Sequence, residues 1–124
     1  GTVLPSHCTA AGKVHLVFGT EGTVGQDLPE RLERFTEKTI VDRNMLREDM
    51  SRIGESGYAM ERGEFAEDVN AIAVPIRDYT RSLVGTLAVV GPGYRLTDET
   101  IHEDIAPLLL RAGTDLSKRL GFPG

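Results

Sequence analysis

The chain has little cysteine: Cys8 is the single thiol, so no disulfide can close within it. One free cysteine suits a reducing compartment, and a cytoplasmic location is the expectation. No apolar run approaches the roughly 18 residues that a membrane-spanning helix needs, which argues against a span. No basic stretch followed by an apolar one opens the chain, so no secretory signal is read. Clustered Lys and Arg are missing too. There are 14 basic and 19 acidic residues, a net charge of −5, which argues against this stretch being a DNA-binding surface by itself. The sequence shows no internal repeat, no phosphate-loop glycine pattern and no Gly-x-Ser-x-Gly elbow. It holds neither Cys-x-x-Cys nor His-x-x-x-His, so no metal and no cofactor is implied.

What remains is an ordinary globular composition. Hydrophobic residues make up 40% and charged residues 27% of 124, which suits one domain and leaves no room for a second of full size. Gly1 to Pro5 reads as the end of an extended segment with no start signal before it, as in a piece of a longer protein. Thr9 is a candidate N-cap for a first helix that carries Val14, Leu16, Val17 and Phe18 and stops at Gly19. Gly19 to Gln26 reads as a loop. Leu28, Leu32 and Phe35 stand at helical spacing and suggest a short helix. Asp42 opens another helix, with Leu46, Met50 and Ile53 on one face and Gly54 and Gly57 as stops.

Tyr58 to Met60 reads as a short strand before an acidic turn. Val69 to Ile76 and Ser82 to Val90 read as two strong strands joined by the polar loop Arg77 to Arg81, with Gly91-Pro92-Gly93 ending the pair. Thr97 and Asp98 offer caps for a final helical pattern from Ile101 to Leu120, with Gly121 behind it. Pro107 should kink that helix or start a second one. The order α, α, β, β, β, α defines an α+β domain on an antiparallel sheet flanked by helices. Three strands make a thin sheet, which hints at further strands ahead of Gly1.

Few residues point to chemistry. His7 and Cys8 are adjacent, and neighbours rarely face one another, so a structural role for Cys8 is favoured over a nucleophile. His102 reads as a solvated surface histidine. Glu61, Glu64, Glu67 and Asp68 could bind a cation or do acid–base work, but such a run is more often a solvated turn. Thr9-Ala10-Ala11-Gly12 is the more informative segment. A helix start roofed by small side chains offers free N–H groups to a carboxylate or phosphate, and it equally suits close packing on a sheet. On the strands, Ala71 and Ala73 share a face, as do Thr86, Ala88 and Val90. The large aliphatics Ile72, Val74, Leu87 and Val89 take the opposite face, expected to meet the helices. The smaller set is expected to line a roomier face, for a ligand or for another layer of core.

Leu4-Pro5-Ser6-His7-Cys8-Thr9-Ala10-Ala11-Gly12-Lys13 resembles the Leu-Pro-x-His-x-Thr-Ala-x-Gly-Lys segment of IclR-family transcription regulators. Gly57-Tyr58-Ala59, Gly63-Glu64-Phe65 and Ala71 to Asp78 resemble that family's next signature. Leu87 to Pro92 and Leu116 to Gly121 complete the likeness, from about Val3 to Gly121. The resemblance implies a C-terminal effector-binding domain of GAF-like fold over residues 1–124, without its first strands and without the winged helix-turn-helix that reads operator DNA. It implies a small-molecule effector, assembly into a homodimer or homotetramer, no membrane and no catalysis.

Carried over from the family, the effector positions are Ala10, Ala11, Gly12, Glu61, Ala71, Ala88 and Val90, with the Ala10 and Ala11 amides holding an acid group. Some members have hydroxyl or thiol side chains where this chain has Ala71, Ala88 and Val90, so its wall is apolar and favours an aromatic acid over a small keto acid. Glu61 could accept a hydrogen bond from a ligand hydroxyl, or repel an acid placed too near. Two other readings stand beside this one. One is a GAF-like redox enzyme using Cys8, which lacks a resolving cysteine. The other is a pure oligomerisation module.

Overall fold

The structure is a computed structural model and describes residues 5–19, 28 and 30–124. Its elements are α1 (Ala10–Phe18), α2 (Arg43–Ser56), β1 (Ala59–Arg62), β2 (Val69–Arg77), β3 (Leu83–Pro92) and a C-terminal helix in three parts. Those parts are α3 (Asp98–Thr100), a π-helical turn (Ile101–Ile105) and α4 (Ala106–Arg119). The sheet is antiparallel in the order β1-β2-β3, so the expected α+β architecture is present.

The caps follow from the sequence. The Thr9 hydroxyl accepts from Gly12 N–H at 3.0 Å, and the Asp42 carboxylate accepts from Asn44 and Met45 N–H at 2.8 and 3.1 Å. Gly57 ends α2 at φ +85, a left-handed position that suits glycine. Gly54, expected as a stop, lies inside α2 instead. Pro107 has no N–H to donate one turn back. The preceding residues meet it with a wider turn, in which Ala106 N–H bonds to Ile101 O, five residues back. The chain therefore stays helical through Pro107.

The helix expected over Leu28–Phe35 does not form among the described residues; they take an irregular path. Two threonines explain it. Thr39 Oγ1 accepts from the N–H groups of Phe35 and Thr36 and donates to Glu64 O, while Thr36 Oγ1 donates to Gly63 O. These bonds pull the segment onto the β1–β2 turn and use backbone groups that a helix would need. Leu28 and Leu32 are buried all the same. The loop expected from Gly19 to Gln26 lies, beyond Gly19, outside the described residues.

The sheet divides two cores. Ile72 and Val74, with Leu87 and Val89 partly buried beside them, pack against Leu96, just ahead of the C-terminal helix, and against Ile101, Ala106 and Leu109 within it. Ala59, Ala71 and Ala73 pack on the other face against Val14, Val17, Leu46 and Met50 of α1 and α2. The face of small side chains is thus not uniformly roomy: over β1 and β2 the alanines let α1 sit directly on the sheet. Only over β3 does it stay open, where Ala88 and Val90 are exposed.

The outer edge of β1 is closed by side chains. Met60 O accepts from Lys13 Nζ at 3.0 Å, and Arg62 N–H donates to Glu64 Oε2 at 3.3 Å. Just ahead of the strand, Tyr58 O accepts from the Ser56 hydroxyl, which in turn accepts from Tyr58 N–H.

Candidate functional site

α1 presents one buried face of Ala10, Lys13, Val14 and Val17, spaced three, one and three residues apart. A lysine on that face must find partners. Lys13 is 0% exposed, and its ammonium has three donors. They go to Asp49 Oδ2 at 2.7 Å, Met60 O at 3.0 Å and Glu64 Oε2 at 3.1 Å. Glu64 Oε1 is 2.9 Å from the same nitrogen yet receives no proton, and it is a buried acceptor without a hydrogen bond.

Glu61 belongs to the same cluster. It is 4% exposed, and its carboxylate accepts from Glu64 N–H at 3.0 Å. Burial, then the neighbouring Glu64 charge, pushes its carboxyl above the usual carboxylate range, against the pull of backbone N–H groups and of Lys13. Burial likewise raises Glu64, with Lys13 opposing. The solvated acidic turn expected here is therefore only half right. Glu67 and Asp68 are exposed, while Glu61 and Glu64 are buried because the ammonium of Lys13 compensates them.

Cys8 is 0% exposed, and its thiol is pushed up to about 12 by burial and then by the charges of Glu61 and Glu64. A thiol so hard to ionise is a poor nucleophile, which argues against a redox role. His7 Nε2 lies 2.7 Å from Glu33 O, and His102 Nδ1 lies 2.6 Å from the Tyr58 hydroxyl. Both imidazoles have local partners, and His102 is exposed as expected.

The register gathers the residues singled out from the sequence. Glu61 pairs with Ala71, and Ala71 with Val90. Directly paired residues point to one face of a sheet, so these three form one cross-strand row. Ala59, Ala73 and Ala88 form another row, two residues along on the same face. α1 lies over this face. Gly12 is packed tightly there: a Cβ on it would fall 2.5 Å from Thr9 Oγ1 and 2.6 Å from Pro5 O and Ser6 Cα. Its missing side chain thus serves the close approach of the preceding segment, and its N–H is taken by Thr9. The first backbone bond of α1 runs from Lys13 N–H to Thr9 O, so Ala10 and Ala11 keep N–H groups with no partner inside the helix.

A three-stranded antiparallel sheet between a two-helix layer and a C-terminal helix, with a helix start over one face, defines a GAF-like α+β domain. The chain belongs to the family of bacterial transcriptional regulators, IclR C-terminal, whose model matches residues 1–118. It is 34% identical over 123 residues to the HTH-type transcriptional repressor AllR of Salmonella typhi, covering 98% of this chain and 45% of AllR. The chain thus spans under half the length of that relative. The C-terminal domain of the E. coli transcriptional regulator KdgR superposes with a TM-score of 0.83 at 30% identity, over 98% of this chain and 74% of that one. The inducer-binding domain of the Acinetobacter transcription factor PobR, a double mutant in complex with 3-hydroxybenzoic acid, matches at TM-score 0.81 and 26% identity. That match covers 94% of this chain and 67% of the PobR chain.

Proposed function

We propose that this chain is the effector-sensing part of an IclR-type transcription regulator that works in the cytoplasm and has no catalytic step. The effector lies over the open part of the small-residue face, against Ala88 and Val90, with its acid group on the Ala10 and Ala11 N–H groups. The carrying observation is the cross-strand row Glu61–Ala71–Val90 on the face that α1 packs against. It brings residues far apart in sequence to one face that is closed over β2 and open over β3.

The ligand class follows from the wall. Ala71, Ala88 and Val90 offer no side-chain donor, so an aromatic or other apolar-bodied acid suits it better than a small keto acid. The inducer-binding domain of PobR, with its hydroxybenzoic acid, supports that class. Glu61, the buried β1 end of the row, would be the acceptor for a ligand hydroxyl. Binding would favour one arrangement of associated subunits, a homodimer or homotetramer. It would thereby change how a DNA-reading part outside this chain engages its operator.

A thermal-shift screen of aromatic and aliphatic acids tests this. A saturable stabilisation by an aromatic acid, lost in Ala88→Phe, is the expected result. A broad panel with no stabilising acid would leave the assembly module as the better reading.

A further inference from the structure

Arg77 lies against two aromatic rings at the opposite end of α1 from the proposed effector site. Its guanidinium carbon lies 4.8 Å from the Phe18 ring centroid and 5.5 Å from that of Phe122. Phe18 is the last residue of α1. Phe122 follows Gly121, which takes φ +87 behind α4, and its N–H bonds back to Ser117 O at 3.0 Å. The ends of two helices thus bring the rings to one arginine. The backbone there is pinned as well, since Arg77 N–H donates to the Ser117 hydroxyl at 3.0 Å.

Beside the rings opens a cleft of about 300 Å³, lined by apolar Val74, Pro75 and Leu110 and by the α4 residues Thr114, Ser117 and Lys118. Its charged lining side chains are those of Arg77 and Lys118, both cations, in a chain whose net charge is −5. No side-chain carboxylate lines it among the described residues; the terminal Gly124 does line it, but neither cation is in an ion pair there. Asp78, next in sequence, accepts instead from the N–H and hydroxyl of Thr80, at 2.8 and 2.5 Å.

We propose that this cleft is a second anion site, taking a small organic carboxylate with an apolar body. A guanidinium held by ring contacts rather than by a carboxylate keeps N–H donors for a planar acceptor, and a carboxylate is the two-oxygen group that matches them. Lys118 adds a second charge. Val74, Pro75 and Leu110 offer contact for a hydrocarbon or aromatic body, which inorganic phosphate lacks. The site is separate from the one under the start of α1 and stands or falls without it.

A 15N–1H NMR titration of the 124-residue chain with benzoate, and separately with inorganic phosphate, tests the proposal. Benzoate should shift the amides of Gly113, Thr114, Ser117 and Lys118 saturably, and phosphate should not. Lys118→Glu, at an exposed position, and Arg77→Gln should each weaken benzoate binding at these amides by about tenfold or more, the scale of one lost charge-assisted contact. Lys118→Glu keeps the test decisive if Arg77→Gln fails to fold. No saturable shift at millimolar benzoate, equal shifts with phosphate, or unchanged affinity in Lys118→Glu would each overturn it.

Discussion

Lys13 Nζ lies 2.7 Å from Asp49 Oδ2, and this contact ties α1 to α2 through a buried ammonium. Lys13→Met should therefore destabilise the chain strongly, by about 3–5 kcal/mol, because Asp49 and Glu64 are left without their counter-ion. Urea unfolding measures it. Adding Glu64→Gln to Lys13→Met should recover part of the loss, and a strictly additive double mutant would contradict the coupling.

Glu61 gives a pH signature of defined sign. Its carboxyl is raised in the folded chain, so between the ordinary value of 4.5 and the folded value the native state binds more protons than the unfolded state. The contribution of this group to stability is thus greatest below the ordinary value and falls as pH rises through the raised one. Glu61→Gln should flatten that fall and stabilise the chain at pH 7, by about 1 kcal/mol. Melting curves of both forms across the acid range would show it. An unchanged pH slope would contradict the buried, raised state.

Gly12→Ala should cost about 1–3 kcal/mol, since its Cβ would enter the space of Pro5 O and Ser6 Cα. Gly85→Ala is the control, because nothing lies within 4 Å of the Cβ it would add. Equal melting temperatures for the two variants would show that the segment before α1 is not packed as described.

Cys8 should resist alkylation in the native state. With the thiol pushed up to about 12 and no exposed surface, iodoacetamide at pH 8 should label it far more slowly than in urea. Mass spectrometry over time distinguishes the two rates, and rapid native labelling would restore the redox reading.

Much of the fold was legible because its signals are local. The Thr9 and Asp42 caps, Gly57, and the apolar runs of β2 and β3 each act within a few residues of chain. The expected helix over Leu28–Phe35 fails for the opposite reason. Its 3.6-residue spacing is genuine, but Thr36 and Thr39 are captured by carbonyls at Gly63 and Glu64, which no local pattern announces. The site divides the same way. Alternation on the strands gives the shared face of Ala71 with Ala73 and of Ala88 with Val90. The cross-strand row and the burial of Glu61 and Glu64 depend on register and on Lys13. One signal for Lys13 was present: it stands on the same helical face as Ala10, Val14 and Val17, where a charge needs a partner. Nothing comparable marked Arg77, whose two rings come from distant parts of the chain.

The closed rim of β1 limits how copies of this chain can join. A stack that grows by strand addition needs an acceptor on each side, and here one side has already spent Met60 O on Lys13 and Arg62 N–H on Glu64. Runaway fibre growth through that margin is blocked without any proline or bulge in the strand. Any association between copies of this chain would therefore run through helix faces or beyond β3, which favours discrete assemblies over open-ended ones.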